Sequence, residues 1–210
     1  MKYKISKGHK KEIMKRIKEA GDPDNYKVVW KEGVPKTIEK KIIRRGKKAK
    51  SSGRNFELKV RRDLEKKGRI VDKWSNNVGM WNKEGDQITK SKDKYLTQKT
   101  KKEVPFDKII FDKIIPAKNK FNPFKKAMML SSGFPDFISI KHIHDEMYSV
   151  IGVEVKINGI LSKIEKEKCA WYLRNKIFSQ IWIAKAVKKG RKIEIKYDDF
   201  LEKYGKKYEK

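Results

Sequence analysis

Two apolar runs in the last third of the chain, Phe134 to Ile140 and Met147 to Val155, limit the fold more than any other feature of the sequence. Each has the length and composition of a strand, and the polar stretch His142 to Glu146 between them suits a hairpin connection. A helix is predicted from about Leu161 to Lys176, then a strand over Ser179 to Val187, a turn at Lys188 to Arg191 and an edge strand over Lys192 to Tyr197. Upstream, Phe56, Val60 and Leu64 recur at helical spacing within Gly53 to Lys67. Ser51-Ser52 offers that helix a cap, and Gly68 ends it before a strand at Arg69 to Trp74. The expected architecture is an α/β domain over residues 51–200, a central mixed β-sheet flanked by helices.

The rest of the chain is less regular. Residues 10–20 predict a short helix closed by the turn Gly21-Asp22-Pro23-Asp24, and Tyr26 to Trp30 a strand or extended arm. Lys36 to Lys50 is helix-compatible and crowded with positive charge, so residues 1–50 read as a basic N-terminal extension. Residues 80–132 read as an insertion of loops with local helix or hairpin, and residues 201–210 as a basic tail.

The chain holds 56 Lys or Arg against 27 Asp or Glu, a net charge of +29. A polyanionic partner is the simplest reason, because cations that neutralise phosphates release condensed counterions. Lys outnumbers Arg 47 to 9, so compositional drift contributes, and a solvated basic surface is the plain alternative. The excess is graded, however: residues 1–52 carry 18 basic and 6 acidic groups, residues 133–210 carry 17 and 11. Arg44, Arg45, Lys47, Lys48 and Arg54, with Lys99, Lys101 and Lys102, are the candidate phosphate contacts. One cysteine, Cys169, excludes an intrachain disulfide, and three scattered histidines give no zinc-ligand spacing. With no apolar run long enough to span a bilayer and no signal-peptide pattern at the N-terminus, a soluble intracellular protein without a membrane partner is expected.

Chemistry is concentrated in Gly133-Phe134-Pro135-Asp136 and Gly152-Val153-Glu154-Val155-Lys156. Side chains two apart on a strand share a face, so Glu154 and Lys156 project together while Val153 and Val155 turn away. If the two strands pair, Asp136 converges on the polar face. Two carboxylates in one pocket repel unless a cation lies between them, and oxygen donors of this kind suit Mg²⁺. Lys156 is placed to orient a water or to stabilise developing negative charge. The plain alternative is an exposed Glu-Lys pair on a half-buried strand and a turn aspartate after proline. Glu57 lies at the edge of the Val60 and Leu64 stripe, where it either reaches a metal site or pairs with Arg61 on the surface. Glu165 and Lys168 fall on the same helix side as Leu161, Ile164 and Tyr172, and charges on an apolar stripe ask for a polar site beneath them.

These residues carry a resemblance. Gly133-Phe134-Pro135-Asp136 followed by Glu154-Val155-Lys156 resembles the PD-(D/E)XK nuclease superfamily. Leu161-Ser162-Lys163-Ile164-Glu165 is similar to the Leu-Ser-x-x-Gln helix opening of its VRR-NUC branch, with Glu165 standing in place of the amide. Trp74 to Gly79 resembles the Arg-Asn-x-x-Gly stretch of that branch, with Ser75 where an arginine is usual, and Gly53 to Glu57 is similar to the first helix of archaeal Holliday junction resolvases. The resemblance implies a restriction-endonuclease-like core and Mg²⁺-dependent endonucleolytic hydrolysis of DNA, branched DNA included, with Mn²⁺ able to substitute. Asp136, Glu154, the Val155 carbonyl and Glu57 would hold the metal, and Lys156 would position the attacking water. Glu165, Lys168 and Asn77 would be accessory residues. The resemblance also makes a homodimer an expectation, and the protein either a cytoplasmic one or one encoded by a virus or mobile element. The alternative from a different class is a nonenzymatic nucleic-acid-binding protein that retains the fold.

Overall fold

The computed structural model describes residues 7–22, 24–31, 34–91, 93–117, 120–122, 127–129, 133–190 and 192–208. The chain divides into two compact units, Met1–Asn55 and Phe56–Lys210. In the first, helix α1 (Lys7–Ala20) precedes an antiparallel hairpin of β1 (Tyr26–Lys31) and β2 (Val34–Glu39), which pairs Tyr26 with Glu39. Thr37 donates its hydroxyl to Glu19, and the N–H of Lys40 donates to the Asn25 carbonyl at 2.7 Å.

Helix α2 (Lys40–Lys66) is continuous, which corrects the expectation of a helix that begins after a Ser51-Ser52 cap. Both serines are exposed inside it. Each further helical residue adds a hydrogen bond once the helix is nucleated, so two serines and two glycines lower its stability without ending it. Its buried residues, Phe56, Val60 and Leu64, are those of the predicted stripe.

The second unit continues with β3 (Ile70–Lys73), β4 (Asn76–Trp81), β5 (Ile88–Ser91), β6 (Lys94–Thr97), a 3₁₀ turn (Phe106–Lys108), β7 (Ile110–Pro116), β8 (Lys120–Asn122) and β9 (Ala127–Met129). Then follow β10 (Phe137–His144), β11 (Met147–Val155), α3 (Lys163–Arg174), β12 (Gln180–Lys189), β13 (Lys192–Asp199) and α4 (Phe200–Tyr208). A five-stranded mixed sheet runs in the order β13-β12-β11-β10-β3. Only β11 and β12 pair in parallel, and α3 is the crossover that parallel pairing requires. The α2-β3-β10-β11-α3-β12 sequence of elements thus forms a mixed α/β unit with helices on a central mixed sheet, as the residue pattern predicts.

Alternation along β11 splits the core. Ile151 and Val153 pack with Phe137, Val71 and Ala184 beneath Phe56, Val60 and Leu64 of α2. On the other face, Ile181, Ile183 and Phe178 pack with Cys169, Ala170 and Tyr172 of α3 and Phe200 of α4. Arg69 ties the start of β3 to the middle of the sheet, donating to the buried Ser139 hydroxyl at 2.7 Å and to the Ser149 hydroxyl at 3.2 Å.

Two further expectations change and one holds. The first hairpin strand starts at Phe137 rather than Phe134 and runs to His144, so His142 and His144 lie on the strand and only Asp145-Glu146 turns. Asp145 takes φ 47, the left-handed conformation that a two-residue hairpin turn demands and that Asp tolerates. The segment read as an insertion takes one of its expected forms, with hairpins of β5 and β6 and of β8 and β9, and β4 pairs antiparallel with β7 across the first of them. Of the residues read as a basic tail, 201–208 belong to α4, because Phe200, Tyr204 and Tyr208 recur every four positions and pack on the core. Asp199 accepts the N–H of Leu201 at 2.8 Å and of Glu202 at 3.3 Å at its start.

Candidate functional site

The end of β11 carries the chemistry. Phe137 pairs with Val153, which sets the preceding residue, Asp136, opposite Glu154. The Asp136 N–H donates to the Glu154 carboxylate at 3.1 Å, and the Asp136 carboxylate accepts the Val155 N–H at 3.0 Å. The Asp136 carbonyl accepts from Trp74 N–H at 3.2 Å, so β3 holds the same corner from the other side. The N–H and C=O of a strand residue point to the same edge, which puts the Val155 carbonyl on the Asp136 side.

Lys156 bridges the strand to α3. Its Nζ lies 3.0 Å from Glu154 Oε1 and 2.7 Å from Glu165 Oε1. Glu165 is held twice over: its side chain accepts the Ser162 N–H at 2.7 Å, and its own N–H donates to the Ser162 hydroxyl, a capping box at the start of α3. Three residues on, Lys168 is buried and donates to Asn77 Oδ1 at 2.5 Å, joining α3 to β4. Asp136, Glu154, Lys156 and Glu165 form one bonded cluster, with the Lys168-Asn77 pair attached through the same helix.

Glu57 takes a different partner from the one its helix position suggests. Arg61 pairs with Glu65 at 2.9 Å, and Glu57 pairs with Lys73 of β3 at 2.7 Å. Its charge is nevertheless felt at Asp136. Lys73 was missed in the sequence; its ammonium also lies over the Phe137 ring at 4.4 Å, which a lysine at the end of a short strand does not advertise.

Burial sets the electrostatics. Glu154 is 4% exposed, and desolvation followed by the neighbouring Asp136 charge pushes its carboxyl up to about 8. Burial also raises Asp136, and the Glu57 charge adds to this while the Val155 N–H opposes it. For Lys156, burial works downward, but Glu154 and Glu165 outweigh it and hold the ammonium charged well above the ordinary lysine range. Burial works upward on Glu165, yet the Lys156 and Ser162 hydrogen bonds hold it below the usual carboxylate range. Lys168 is depressed to about 8, chiefly by desolvation. The cluster therefore has two carboxylates that resist being charged together and one ammonium that cannot be discharged at neutral pH. A hard cation with oxygen ligands would relieve the first pair. Among the described residues, no group of three or more His, Cys, Asp or Glu is gathered as a metal-ligand set, so the donors at hand are the Asp136 and Glu154 carboxylates with the Val155 carbonyl.

The candidate phosphate contacts lie elsewhere. Arg44, Arg45, Lys47, Lys48 and Arg54 are exposed along α2, and Lys99, Lys101 and Lys102 are exposed in the turn after β6. Lys99 approaches Asp86 at 3.9 Å, and Lys101 takes φ 57. Arg44, Arg45 and Lys48 also line an open cleft of about 610 Å³ in the first unit, with Asp22, Asp24 and Glu39 among its other walls. Among the described residues, no helix is long and apolar enough to cross a membrane.

Comparison of the chain with protein-family models, with curated proteins and with solved structures returns no match.

Proposed function

We propose that this protein is a metal-dependent endonuclease that hydrolyses DNA phosphodiesters, with a restriction-endonuclease-like core, and that the cluster at the end of β11 is its active site. One observation carries the reading: Asp136 and Glu154, two acids largely withdrawn from water, converge with Lys156 at the end of a central strand. Carboxylates that a fold holds together against their repulsion are a mark of a functional site. Asp136, Glu154 and the Val155 carbonyl supply hard oxygen donors that fit Mg²⁺ or Mn²⁺, and Glu57 stands within electrostatic range as an outer partner. When bound, such a cation supplies a nucleophilic water at neutral pH and charge stabilisation on the phosphate.

The side chains do the rest. Lys156, anchored by Glu165 and kept charged, holds its ammonium beside Glu154, where it orients the attacking water and offsets charge that develops on the phosphate. Lys168 and Asn77 fix the position of α3 relative to β4. The excess of Lys and Arg grips the backbone without reading sequence. A branched substrate and a symmetric dimer fit this reading, since two opposed cuts need two sites related by a two-fold axis. The test is Mg²⁺-dependent cleavage of linear, nicked, flapped and four-way DNA by the parent and by Asp136→Asn and Glu154→Gln. Loss of cleavage with binding retained supports the reading. Binding without cleavage by the parent, in Mg²⁺ or Mn²⁺, leaves a nonenzymatic nucleic-acid-binding protein.

A further inference from the structure

The open cleft of about 610 Å³ in the first unit has walls of opposite charge. One wall is the start of α2, where Lys40, Lys41, Arg44, Arg45 and Lys48 share one helix face. The other is the turn before β1 with the end of β2, which bring Asp22, Asp24 and Glu39. Among the described residues, none of the five cations pairs with any of the three acids. Exposure does not prevent pairing elsewhere in the chain: Lys67 meets Asp63, Lys73 meets Glu57 and Lys94 meets Glu103 at 2.6–2.7 Å. Main-chain bonds set the walls of the cleft. The Tyr26 N–H donates to the Asp22 carbonyl at 3.0 Å, the Lys40 N–H donates to the Asn25 carbonyl at 2.7 Å, and Tyr26 pairs with Glu39 across the hairpin. Asn25 donates to the Asp22 carboxylate from its main chain at 3.3 Å and from its side chain at 3.2 Å. Among the described residues, the side chains of Asp24, Glu39 and Tyr26 have no hydrogen-bond partner.

The volume falls in the range of about 300–1,000 Å³ that small-molecule sites occupy. Five cations against three acids leave a net of +2, which matches the charge of roughly −1.5 to −2 on a terminal phosphate. A phosphate backbone alone does not suit the acids, which repel it. Acids that face a phosphate-binding wall suit a ligand that carries N–H donors as well as phosphate. The exocyclic amine of a nucleobase is such a donor, and carboxylates accept from it in base recognition. Tyr26, half-buried in the cleft, offers a ring on which a base can stack.

We infer that this cleft is a nucleotide site, in which Arg44, Arg45 and Lys48 hold a terminal phosphate while Asp24 and Glu39 accept from the exocyclic amine of the base. It stands or falls apart from the nuclease reading. A free nucleotide and the phosphorylated end of a strand offer the same chemistry. The full chain, in chelator, is titrated by calorimetry with deoxycytidylate, with deoxyuridylate, which has a carbonyl in place of the amine, and with inorganic phosphate. Deoxycytidylate is expected to bind about tenfold or more tightly than deoxyuridylate, and inorganic phosphate more weakly than deoxycytidylate. Arg44→Ala/Arg45→Ala should weaken both nucleotides by about tenfold or more. Asp24→Asn/Glu39→Gln should bring the two nucleotides to within about twofold of each other, because an amide offers a donor to the uracil carbonyl. Arg44→Ala and Glu39→Gln singly give the same directions if a double variant unfolds. Competition with a dinucleotide that begins with deoxycytidine, in 5′-phosphorylated and 5′-hydroxyl forms, identifies the source. Displacement by the phosphorylated form alone assigns the cleft to strand ends and no displacement assigns it to free nucleotide; either supports the site. Equal displacement by both forms overturns the terminal phosphate as the group held. No binding of deoxycytidylate at millimolar concentration, equal affinity for the two nucleotides, or affinities unchanged in Arg44→Ala/Arg45→Ala overturns the site and leaves those arginines to an unspecific grip on a phosphate backbone.

Discussion

Asp136 donates its backbone N–H to the Glu154 carboxylate at 3.1 Å, so the second acid of the cluster is positioned by the main chain of the first. The arrangement fixes both carboxyl groups with backbone donors, the Val155 N–H serving Asp136. Glu154→Gln keeps an oxygen that can accept from Asp136 and removes the charge that burial penalises. Cleavage in Mg²⁺ should vanish while the thermal midpoint, measured in chelator at pH 8, stays at or above that of the parent. A large fall in the midpoint would mean that the charge has a structural partner worth more than its desolvation.

Lys156 is bound to Glu154 and Glu165 together, which changes what its loss should do. A surface strand lysine is dispensable for folding. This one is partly buried between two acids, and its loss leaves the buried Glu154 and the capping Glu165 without their shared cation. Lys156→Ala should therefore lower the melting midpoint as well as the cleavage rate, the latter by about two orders of magnitude or more. Adding Glu154→Gln in the same chain should recover stability without recovering cleavage. Calorimetry and single-turnover cleavage on the two variants give both answers.

Ser162 isolates the helix cap from the site. Its hydroxyl accepts the Glu165 N–H, and Glu165 in turn accepts the Ser162 N–H and the Lys156 ammonium. Ser162→Ala should cost about 1 kcal/mol and alter cleavage little. Glu165→Ala removes both the cap partner and the Lys156 anchor, so it should cost more stability and also slow cleavage. Equal effects of the two substitutions on cleavage rate would remove the anchoring role from Glu165.

The parts of this arrangement were unequally legible in the sequence. Period-two alternation along Val153 to Lys156 was enough to put Glu154 and Lys156 on one face, and the hairpin to bring Asp136 to them. The Ser162-x-x-Glu165 spacing is itself a capping-box signature, but the sequence was read there for a resemblance to a Leu-Ser-x-x-Gln pattern, which made Glu165 an accessory residue and did not specify its partner, Lys156. Glu57 shows the limit of helix geometry alone: an i, i+4 partner was available in Arg61, and a tertiary partner, Lys73, prevailed. The pairing of β4 with β7 joins Asn77 to Ile115 across a long stretch of short polar strands, and nothing local encodes that register. In α4, the lysines between Phe200, Tyr204 and Tyr208 gave a charge signal that hid a helical one.

Tyr197 and Asp63 make the pH dependence of the fold testable away from the site. The Tyr197 hydroxyl donates to Asp63 Oδ2 at 2.7 Å, which ties β13 to α2, and Lys67 donates to the same oxygen at 2.6 Å. Burial works to raise Asp63, but the Lys67 and Tyr197 hydrogen bonds prevail and hold it below the ordinary carboxylate range. A depressed folded value means that the stabilisation is present above the unfolded carboxylate range, about pH 4, and is lost as pH falls through the folded value. Tyr197→Phe should lower the midpoint by about 2–4 °C at pH 7, the equivalent of roughly 1 kcal/mol for a partly exposed pair. The gap between parent and variant should narrow as the pH falls below about 4. A gap that stays constant down to acid collapse would show that the tyrosine acts by packing rather than through the carboxylate.

Removal of residues 1–50 tests how much of the phosphate grip is separable from the site. Those residues carry 18 of the 56 basic groups and 6 acidic ones, including Arg44, Arg45, Lys47 and Lys48, which are exposed on α2. The core of the second unit begins at Phe56, and its α2 contribution of Phe56, Val60 and Leu64 is retained in the shortened chain. The truncated protein should remain folded, with a midpoint set by the sheet and its helices. Its DNA affinity should fall, and the slope of log affinity against log salt should flatten by about 0.9 for each phosphate contact removed. Titration at several salt concentrations reads the slope directly. An affinity that falls while the slope is unchanged would assign the N-terminal unit to shape or base contacts. With slope and affinity both unchanged, the backbone grip would lie in the second unit, where Lys99, Lys101 and Lys102 become the residues to replace.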